Sequence, residues 1–275
     1  LLFGRVYEDS AIESATFPVG SRVVCIASAG CTAFDLSPLR TVTAVDINPV
    51  ELAYAQRRAA GEPAETGQAD RWMTWGRRAL RLAGWSRARV EAFLELDDPD
   101  EQVDFWFHHL DTRRFRCGVD QVLRPTVLRT VYAAPLLDAL PRPFGAVMRR
   151  RLLRGWSRHP NRTNPYAHAL LRGDPPERVA RSVTSPRFVC AEMAEFLESS
   201  PPNSFDGFSF SNILDGTAAA YRDRLFRAAQ HAGTPGSRVV YRSFAEPSSD
   251  FEWNLAATDR SLLWGIVAVV PVHGG

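Results

Sequence analysis

The stretch RVVCIASAGCTAFDLSPLRTVTAVDINPVELAYAQRRAA (residues 22–60) constrains the fold more than any other part of the chain. It holds two short apolar runs, each closed by a small polar turn and each leading into a helix-like segment. RVVCIAS (22–28) reads as a buried strand, since β-branched and small apolar residues follow directly on a Pro18-Val19-Gly20 turn. AFDLSPL (33–39) is the helix that follows, kept short by Pro38. TVTAVDI (41–47) is a second strand. PVELAYAQRRAA (49–60) is a second helix, with Pro49 at a first helical position, where its missing N–H costs nothing. Strand, helix, strand, helix within about 40 residues favours a parallel α/β sheet.

Residues 61–182 break this rhythm. They are rich in Arg, Trp, Phe and His and carry helical patterns such as RWMTWGRRALRLAGW and VDQVLRPTVLRTVYAAPLLDAL, so a large, mainly helical insertion is expected on the acceptor side of the molecule. Trp72, Trp75 and Trp85 read as core of that insertion rather than as a stacking platform. The α/β alternation resumes with RFVCAEMAEFL, FDGFSFSNILD, AAYRDRLFRAAQHA, GSRVVYRSF and a terminal strand in LLWGIVAVVPV. Residues 1–60 and 183–275 together then form one Rossmann-type core, preceded by a lead-in with a short helix over 5–18.

All 33 basic residues are Arg, because the chain has no lysine. That excludes a Schiff base to pyridoxal phosphate and a Walker lysine on a nucleotide phosphate. Cys25, Cys31, Cys117 and Cys190 are widely spaced, without a CxxC pair, so neither a zinc site nor a disulfide framework is expected. No metal is expected elsewhere: His108-His109 lacks a partner at helical spacing and reads as helix packing and surface hydrogen bonding. No run of about 18 apolar residues suggests a membrane span, no signal peptide is visible at LLFGRVYEDS, and a cytoplasmic location is the default expectation.

In a doubly wound sheet, ligands settle at the carboxyl ends of the strands, near the point where strand order reverses. A small-residue loop after one strand lets a ligand approach the backbone, and a carboxylate ending the next can accept both ribose hydroxyls. Gly30 and Asp46 fit these roles at a spacing of roughly 16 residues, near the usual value of about 20. The loop Ser28-Ala29-Gly30-Cys31-Thr32-Ala33 has one glycine where a pyrophosphate fingerprint needs three. A nucleoside without phosphates, as in S-adenosylmethionine, makes weaker demands on the loop and suits it better.

FGRVYED, ASAGCTAFDL, AVDINPVELA and SFDGFSFSNILD, taken in order, resemble the betaine lipid synthase family, S-adenosylmethionine:diacylglycerol 3-amino-3-carboxypropyltransferases. The resemblance covers most of the chain, long insertion included. It implies a class I methyltransferase-like fold, S-adenosylmethionine as co-substrate, and transfer of the aminocarboxypropyl arm rather than the methyl group. By that resemblance Ser28, Ala29 and Gly30 face the methionyl and ribose portions. Asp46 takes the ribose hydroxyls, with Ile47 and Asn48 beside it. Glu192 meets the adenine edge, a place that Ala191 or Met193 could equally fill. Ser211, Asn212 and Asp215 face the reacting carbon, while Tyr7, Glu8 and Asp9 close over the cofactor. The loop departs from the family pattern at Cys31 and Thr32, where members carry Asp or Glu and then Asn, which bears on how the methionyl amine is held.

A sulfonium is electrophilic at all three attached carbons, so the outcome depends on which carbon is aligned with the nucleophile. A hydroxyl acceptor also needs a base. His159, His168, Asp215, Glu8 and the His108-His109 pair are candidates, with Tyr166 or His159 able to polarise the acceptor. SRHPNRTNPYAHALLRG (157–173) is dense in polar groups within a Pro-broken loop. Arg162 there could clamp a carboxylate, with Asn164 and His168 beside it. The competing reading is a helix start capped by Asn164 before Pro165.

Between Asp138 and Asp174 there are eight arginines and no acidic residue. Residues 142–172 could therefore lie on an anionic bilayer, receive an anionic acceptor, or be a solvated face. No nucleic-acid motif accompanies the charge, so a small-molecule or lipid acceptor is expected rather than nucleic acid. The alternatives are an ordinary S-adenosylmethionine-dependent methyltransferase and a non-catalytic Arg-rich RNA-binding protein.

Overall fold

The computed structural model describes residues 1–174, 185–247 and 254–272. After a short helix α1 (Ala11–Thr16), the first apolar run forms β1 (Arg22–Ile26) and leads into α2 (Cys31–Leu36). The second run forms β2 (Thr41–Asp46), parallel to β1 with Val23 opposite Val42 and Ile26 opposite Val45, and leads into α3 (Pro49–Ala59). Helix α2 starts two residues before the expected AFDLSPL segment and stops at Leu36; Ser37 is still helical in φ and ψ, but Pro38 has no N–H with which to continue the ladder. At the start of α3 the Asn48 side chain accepts from the Val50 N–H at 3.0 Å, and Pro49 occupies the first turn.

The insertion is helical as expected: α4 (Gln68–Leu80), α5 (Arg87–Leu94), α6 (Pro99–Phe105), α7 (Arg113–Val122), α8 (Pro125–Leu128), α9 (Ala134–Ala139), α10 (Phe144–Trp156) and α11 (Pro165–Leu171). Its expected boundary with the core at 182/183 lies outside the described residues. The core returns with β3 (Arg187–Cys190), α12 (Met193–Ser199), β4 (Phe205–Ser209), α13 (Ala219–Ala232), β5 (Gly233–Ser243) and β6 (Ile266–Pro271). Strand β5 begins at Gly233, earlier than GSRVVYRSF suggests, and its register against β4 shifts between Phe205 and Gly207.

The strand order is β3-β2-β1-β4-β5-β6, so the order reverses between β1 and β4. Strands β1 to β5 run parallel and β6 lies antiparallel on β5. The fold is therefore an α/β, Rossmann-like sheet, mostly parallel. Both faces are covered, which explains why the strands read as continuous apolar runs. Val24, Val45, Phe208 and Val239 pack under α12 and α13, against Leu197, Leu225 and Ala229. Val23, Cys25, Val42, Ala44 and Val240 point the other way, against Phe17, Ala33, Leu36 and Leu52. Each such aliphatic side chain contributes about 1.5–3 kcal/mol by leaving water.

The insertion has its own aromatic core. Trp85 stacks on Phe115 at 4.7 Å, and Trp106 and Trp156 pack edge-on to Phe115 and Phe93 respectively. Trp85 is buried as expected, but Trp72 is 36% and Trp75 65% exposed. The expectation that all three are core is corrected: α4 turns Met73, Gly76 and Leu80 inward and leaves the neighbouring stripe outside. His108 donates through Nδ1 to the Asp104 carbonyl at 2.7 Å and His109 packs on Phe105, the surface role expected of the pair.

Most arginines of 142–172 are committed to partners within the chain, several of them at the surface. Arg151 is buried and donates to the Leu263 and Phe244 carbonyls and to Glu246. Arg154 donates to the Trp264 carbonyl at 2.6 Å. Arg149 pairs with Asp120, Arg150 with Glu246, Arg162 with Asp97, and Arg172 with Glu91 and Asp174. Among the described residues only the Arg142 and Arg158 side chains of this run carry no hydrogen bond or ion pair. The absence of acids along the sequence is thus made good by acids brought from elsewhere in the fold.

Candidate functional site

The general rule for such sheets sets the ligand crevice where the order reverses, here at the carboxyl ends of β1, β2 and β4. Beyond β1 the chain turns through Ser28 (φ 43°) and Gly30 (φ 81°), two left-handed residues within three positions. Only glycine fits well at position 30: an added Cβ would lie 2.4 Å from the Phe34 ring. The Asp46 carboxylate accepts from the Ser28 N–H at 2.8 Å and from the Asn48 N–H at 2.9 Å, tying the two loops together. A carboxylate offers about four lone-pair directions, so each oxygen of Asp46 retains capacity toward the crevice. Ile47, beside it, is 68% exposed, an apolar side chain held in water at the crevice mouth.

The amino-terminal segment straps this floor to the insertion. The Leu2 N–H donates to Glu51 at 2.8 Å, the Gly4 N–H to Asp70 at 2.6 Å, and Tyr54 O–H to the Gly4 carbonyl at 2.8 Å. Gly4 has no room for a side chain, since a Cβ would fall 1.8 Å from the Glu65 carbonyl oxygen. Val6 N–H then meets Cys31 Sγ at 3.4 Å, Tyr7 O–H donates to the Ala169 carbonyl, and Tyr166 O–H donates to the Glu8 carbonyl at 2.6 Å. Cys31 is therefore a contact of the strap, and Arg58 lies against it from α3.

At the end of β4, Ser211 adopts φ 51° and donates its hydroxyl to Glu8 Oε1. Asp215 accepts from the Ser243 hydroxyl and from the Phe244 N–H at 3.0 Å, with Asn212 Nδ2 at 3.5 Å. Beneath them a buried charge cluster anchors the strap. Arg242 is fully buried and bonds Glu13 at 2.5 and 3.0 Å, Asp259 at 3.2 Å and the Asp9 carbonyl at 2.9 Å, with Glu8 Oε2 at 3.8 Å. Asp9 pairs instead with Arg260 through two 2.7 Å bonds. Burial pushes the carboxyls of Glu8 and Asp259 up despite Arg242. For Asp9 burial acts in the same sense, but the bonds and charge of Arg260 hold it below the usual range.

The structure thus gathers Ser28, Ala29, Gly30, Asp46, Ile47 and Asn48 at the ends of β1 and β2, and Glu8, Ser211, Asn212 and Asp215 at the end of β4, while Tyr7 lines a polar cavity with Asp70, Arg77 and Ala169. Several expected residues are occupied elsewhere. Glu192 caps α12, accepting from the Ala194 and Glu195 N–H groups, and also receives Tyr221 and Arg224. Its lone pairs are used, and Met193 is buried in the core, so neither is free to read an adenine edge. Asn164 caps α11 through the Tyr166 and Ala167 N–H groups and donates to the Arg260 carbonyl, as in the capped-helix reading. Arg162 is exposed and bound to the Glu95 carbonyl at 2.8 Å and to Asp97. Tyr166 is buried with its hydroxyl used, and burial pushes its ionisation far up, so it cannot serve as a base. His159 binds the Ala257 carbonyl at 3.0 Å, and burial lowers its pKa. His168 Nε2 is buried and has no hydrogen-bond partner among the described residues.

Arg242, Glu13, Asp259 and Arg260 were not expected at the site. One signal was available: Arg242 interrupts the apolar alternation of GSRVVYRSF, and an arginine in a central strand must find a buried anion. Arg77 gave no such signal. It lines a polar cavity of about 420 Å³ beside Gly4–Tyr7, where it bonds Thr74 at 2.8 Å. It also borders an apolar cavity of about 360 Å³ inside the insertion, walled by residues such as Leu80, Phe115, Leu136, Leu140 and Phe244. That cavity ends next to the crevice: Phe244 donates to Asp215, and Gly216 abuts Leu136. Among the described residues no cluster of three or more His, Cys, Asp or Glu is arranged to hold a metal, and no helix is long and apolar enough to cross a membrane. No family model and no curated protein matches the chain.

Proposed function

We propose that this chain transfers the 3-amino-3-carboxypropyl group of S-adenosylmethionine to the hydroxyl of an acyl-bearing acceptor such as diacylglycerol, releasing methylthioadenosine. The observation that carries the reading is the pairing of two unlike walls across the strand tips. One is a tight loop stapled to a carboxylate, suited to a ribose. The other is the end of β4, where Glu8 with Ser211 and Asp215 with Asn212 set two carboxyls, suited to a cation. A ligand joining a neutral ribose to a positive sulfonium and ammonium fits both.

Asp46 would hold the ribose hydroxyls with the lone pairs its backbone donors leave, and Ile47 would cover the adenine face. Ser28, Ala29 and Gly30 would admit the ligand close to the backbone. When bound, the sulfonium supplies an electrophilic γ-carbon, whose bond to sulfur breaks with its electron pair going to sulfur as the acceptor oxygen bonds to carbon. Glu8 would receive the acceptor's proton at Oε1 through Ser211 Oγ, and its raised pKa makes its ionised form the stronger base. The apolar cavity would seat the acyl portion with the hydroxyl end at Phe244 and Asp215. Methyl transfer is set aside on the family resemblance, which favours the γ-carbon.

The test is incubation of the full chain with S-adenosylmethionine and diacylglycerol in mixed micelles, followed by chromatography of the nucleoside. Methylthioadenosine with a modified lipid supports the proposal. S-adenosylhomocysteine, or no turnover of the cofactor, refutes it.

A further inference from the structure

The arginines of 142–172 are mostly paired within the chain, yet a second basic stretch is not. From Arg71 to Val90 there are six arginines and no acidic residue. The side chains of Arg71, Arg78 and Arg81 are exposed and make neither ion pair nor hydrogen bond among the described residues. Arg87 reaches Glu91 only at 3.7 Å, with 87% of its side chain exposed. Beside them stand the most exposed large apolar side chains of the insertion, Leu82 at 83% and Trp75 at 65%, with Trp72 at 36%. Trp72 and Trp75 are three residues apart and therefore share one stripe of α4. The adjoining stripe of the same segment, Gly76, Ala79, Leu80 and Ala83, forms a wall of the 360 Å³ apolar cavity.

We propose that the α4 face, with the turn through Leu82 to Arg87, docks on an anionic lipid bilayer. A helix with arginines flanking exposed tryptophans is suited to the membrane interface, where the indoles sit at headgroup level and the guanidiniums meet anionic headgroups. Leu82 decides between a bilayer and a single-stranded RNA. Stacking and phosphate contacts would use the tryptophans and arginines, but only an acyl layer rewards an exposed aliphatic side chain next to an apolar cavity. On this face a lipid leaving the bilayer would enter the insertion past the helix that touches the membrane. Docking requires no cofactor, so the inference stands apart from the transfer reaction.

The experiment is co-sedimentation of the full chain with phosphatidylcholine vesicles and with phosphatidylcholine–phosphatidylglycerol vesicles, without S-adenosylmethionine. Binding is expected to the anionic vesicles, weakening as salt is raised. Each of Arg71→Gln, Arg78→Gln and Arg81→Gln should lower the partition about fivefold, the equivalent of about 1 kcal/mol per cation. Leu82→Ser with Trp75→Ser should lower it by about tenfold or more at unchanged melting temperature, because both side chains are exposed. Arg142→Gln with Arg158→Gln, the free arginines of the other run, should leave it unaltered. The proposal is overturned by binding to single-stranded RNA but not to vesicles, by vesicle binding indifferent to the α4 variants, or by loss in the Arg142/Arg158 variant instead. A chain that docks but yields no methylthioadenosine keeps this inference and removes the catalytic one.

Discussion

Replacing Arg242 by Met probes how the strap is held over the crevice. Arg242 is fully buried, and it is the guanidinium shared by Glu13, Asp259 and Glu8. Methionine preserves much of the apolar volume and removes the charge, leaving three buried carboxyls facing one another. Breaking a buried ion pair in this way costs about 3–5 kcal/mol. With an unfolding entropy of about 2.1 cal/mol/K per residue, a chain of 275 residues loses roughly 2 °C of melting temperature per kcal/mol, so a fall of about 5–10 °C is expected. The sign of the pH dependence follows from the carboxyls. Glu8 and Asp259 have pKa values raised in the folded state, so their contribution to stability is present below the ordinary carboxyl range and is lost as pH rises through the raised values. Without Arg242 those values rise further. The deficit of Arg242→Met should therefore be smallest near pH 5 and largest near pH 8. Adding Glu13→Gln should restore much of the loss by removing one of the stranded charges. Thermal unfolding followed by circular dichroism across that range reads all three effects. A deficit below about 1 kcal/mol at pH 8, or one independent of pH, would refute the reasoning.

Other perturbations separate the site from its scaffold. Glu8→Gln keeps an acceptor for Ser211 but no base, so methylthioadenosine formation should fall by about 10²–10⁴-fold; the rise of kcat/KM with pH should also disappear, as initial rates between pH 5 and 9 would show. Glu192→Ala removes the cap of α12 and its bonds to α13, and should cost about 1–2 kcal/mol in denaturant unfolding while leaving S-adenosylmethionine affinity unchanged. Gly118→Leu places a side chain in open space within the apolar cavity and replaces a helical glycine, so stability should hold or rise by about 1 kcal/mol while KM for a long-chain acceptor increases.

The parallel core was legible because both of its faces are covered. A strand buried on two sides must be apolar throughout, and RVVCI, TVTAV and GFSF carry that mark directly. The loop glycine and Asp46 were legible for a related reason, since a turn after a strand and a carboxylate at the next strand's end are local features. What depended on distant partners was not. Nothing local to 142–172 indicates that its arginines meet Asp120, Glu91, Glu246 and a row of carbonyls. Likewise Glu192 looks like a ligand contact until the N–H groups of Ala194 and Glu195 claim it. The exposed Trp75 shows the same limit from the other side: its helical spacing fixes a stripe, but which stripe of α4 faces the insertion is decided by the helices it meets.

The most direct test of the account is calorimetric titration of S-adenosylmethionine into the full chain and into Asp46→Ala. Saturable binding to the natural chain is expected, weakened about tenfold or more in the variant, which loses charged hydrogen bonds worth about 1.5–3 kcal/mol while still unfolding cooperatively. Equal affinity in the two proteins, or no heat of binding to the natural chain, would contradict it.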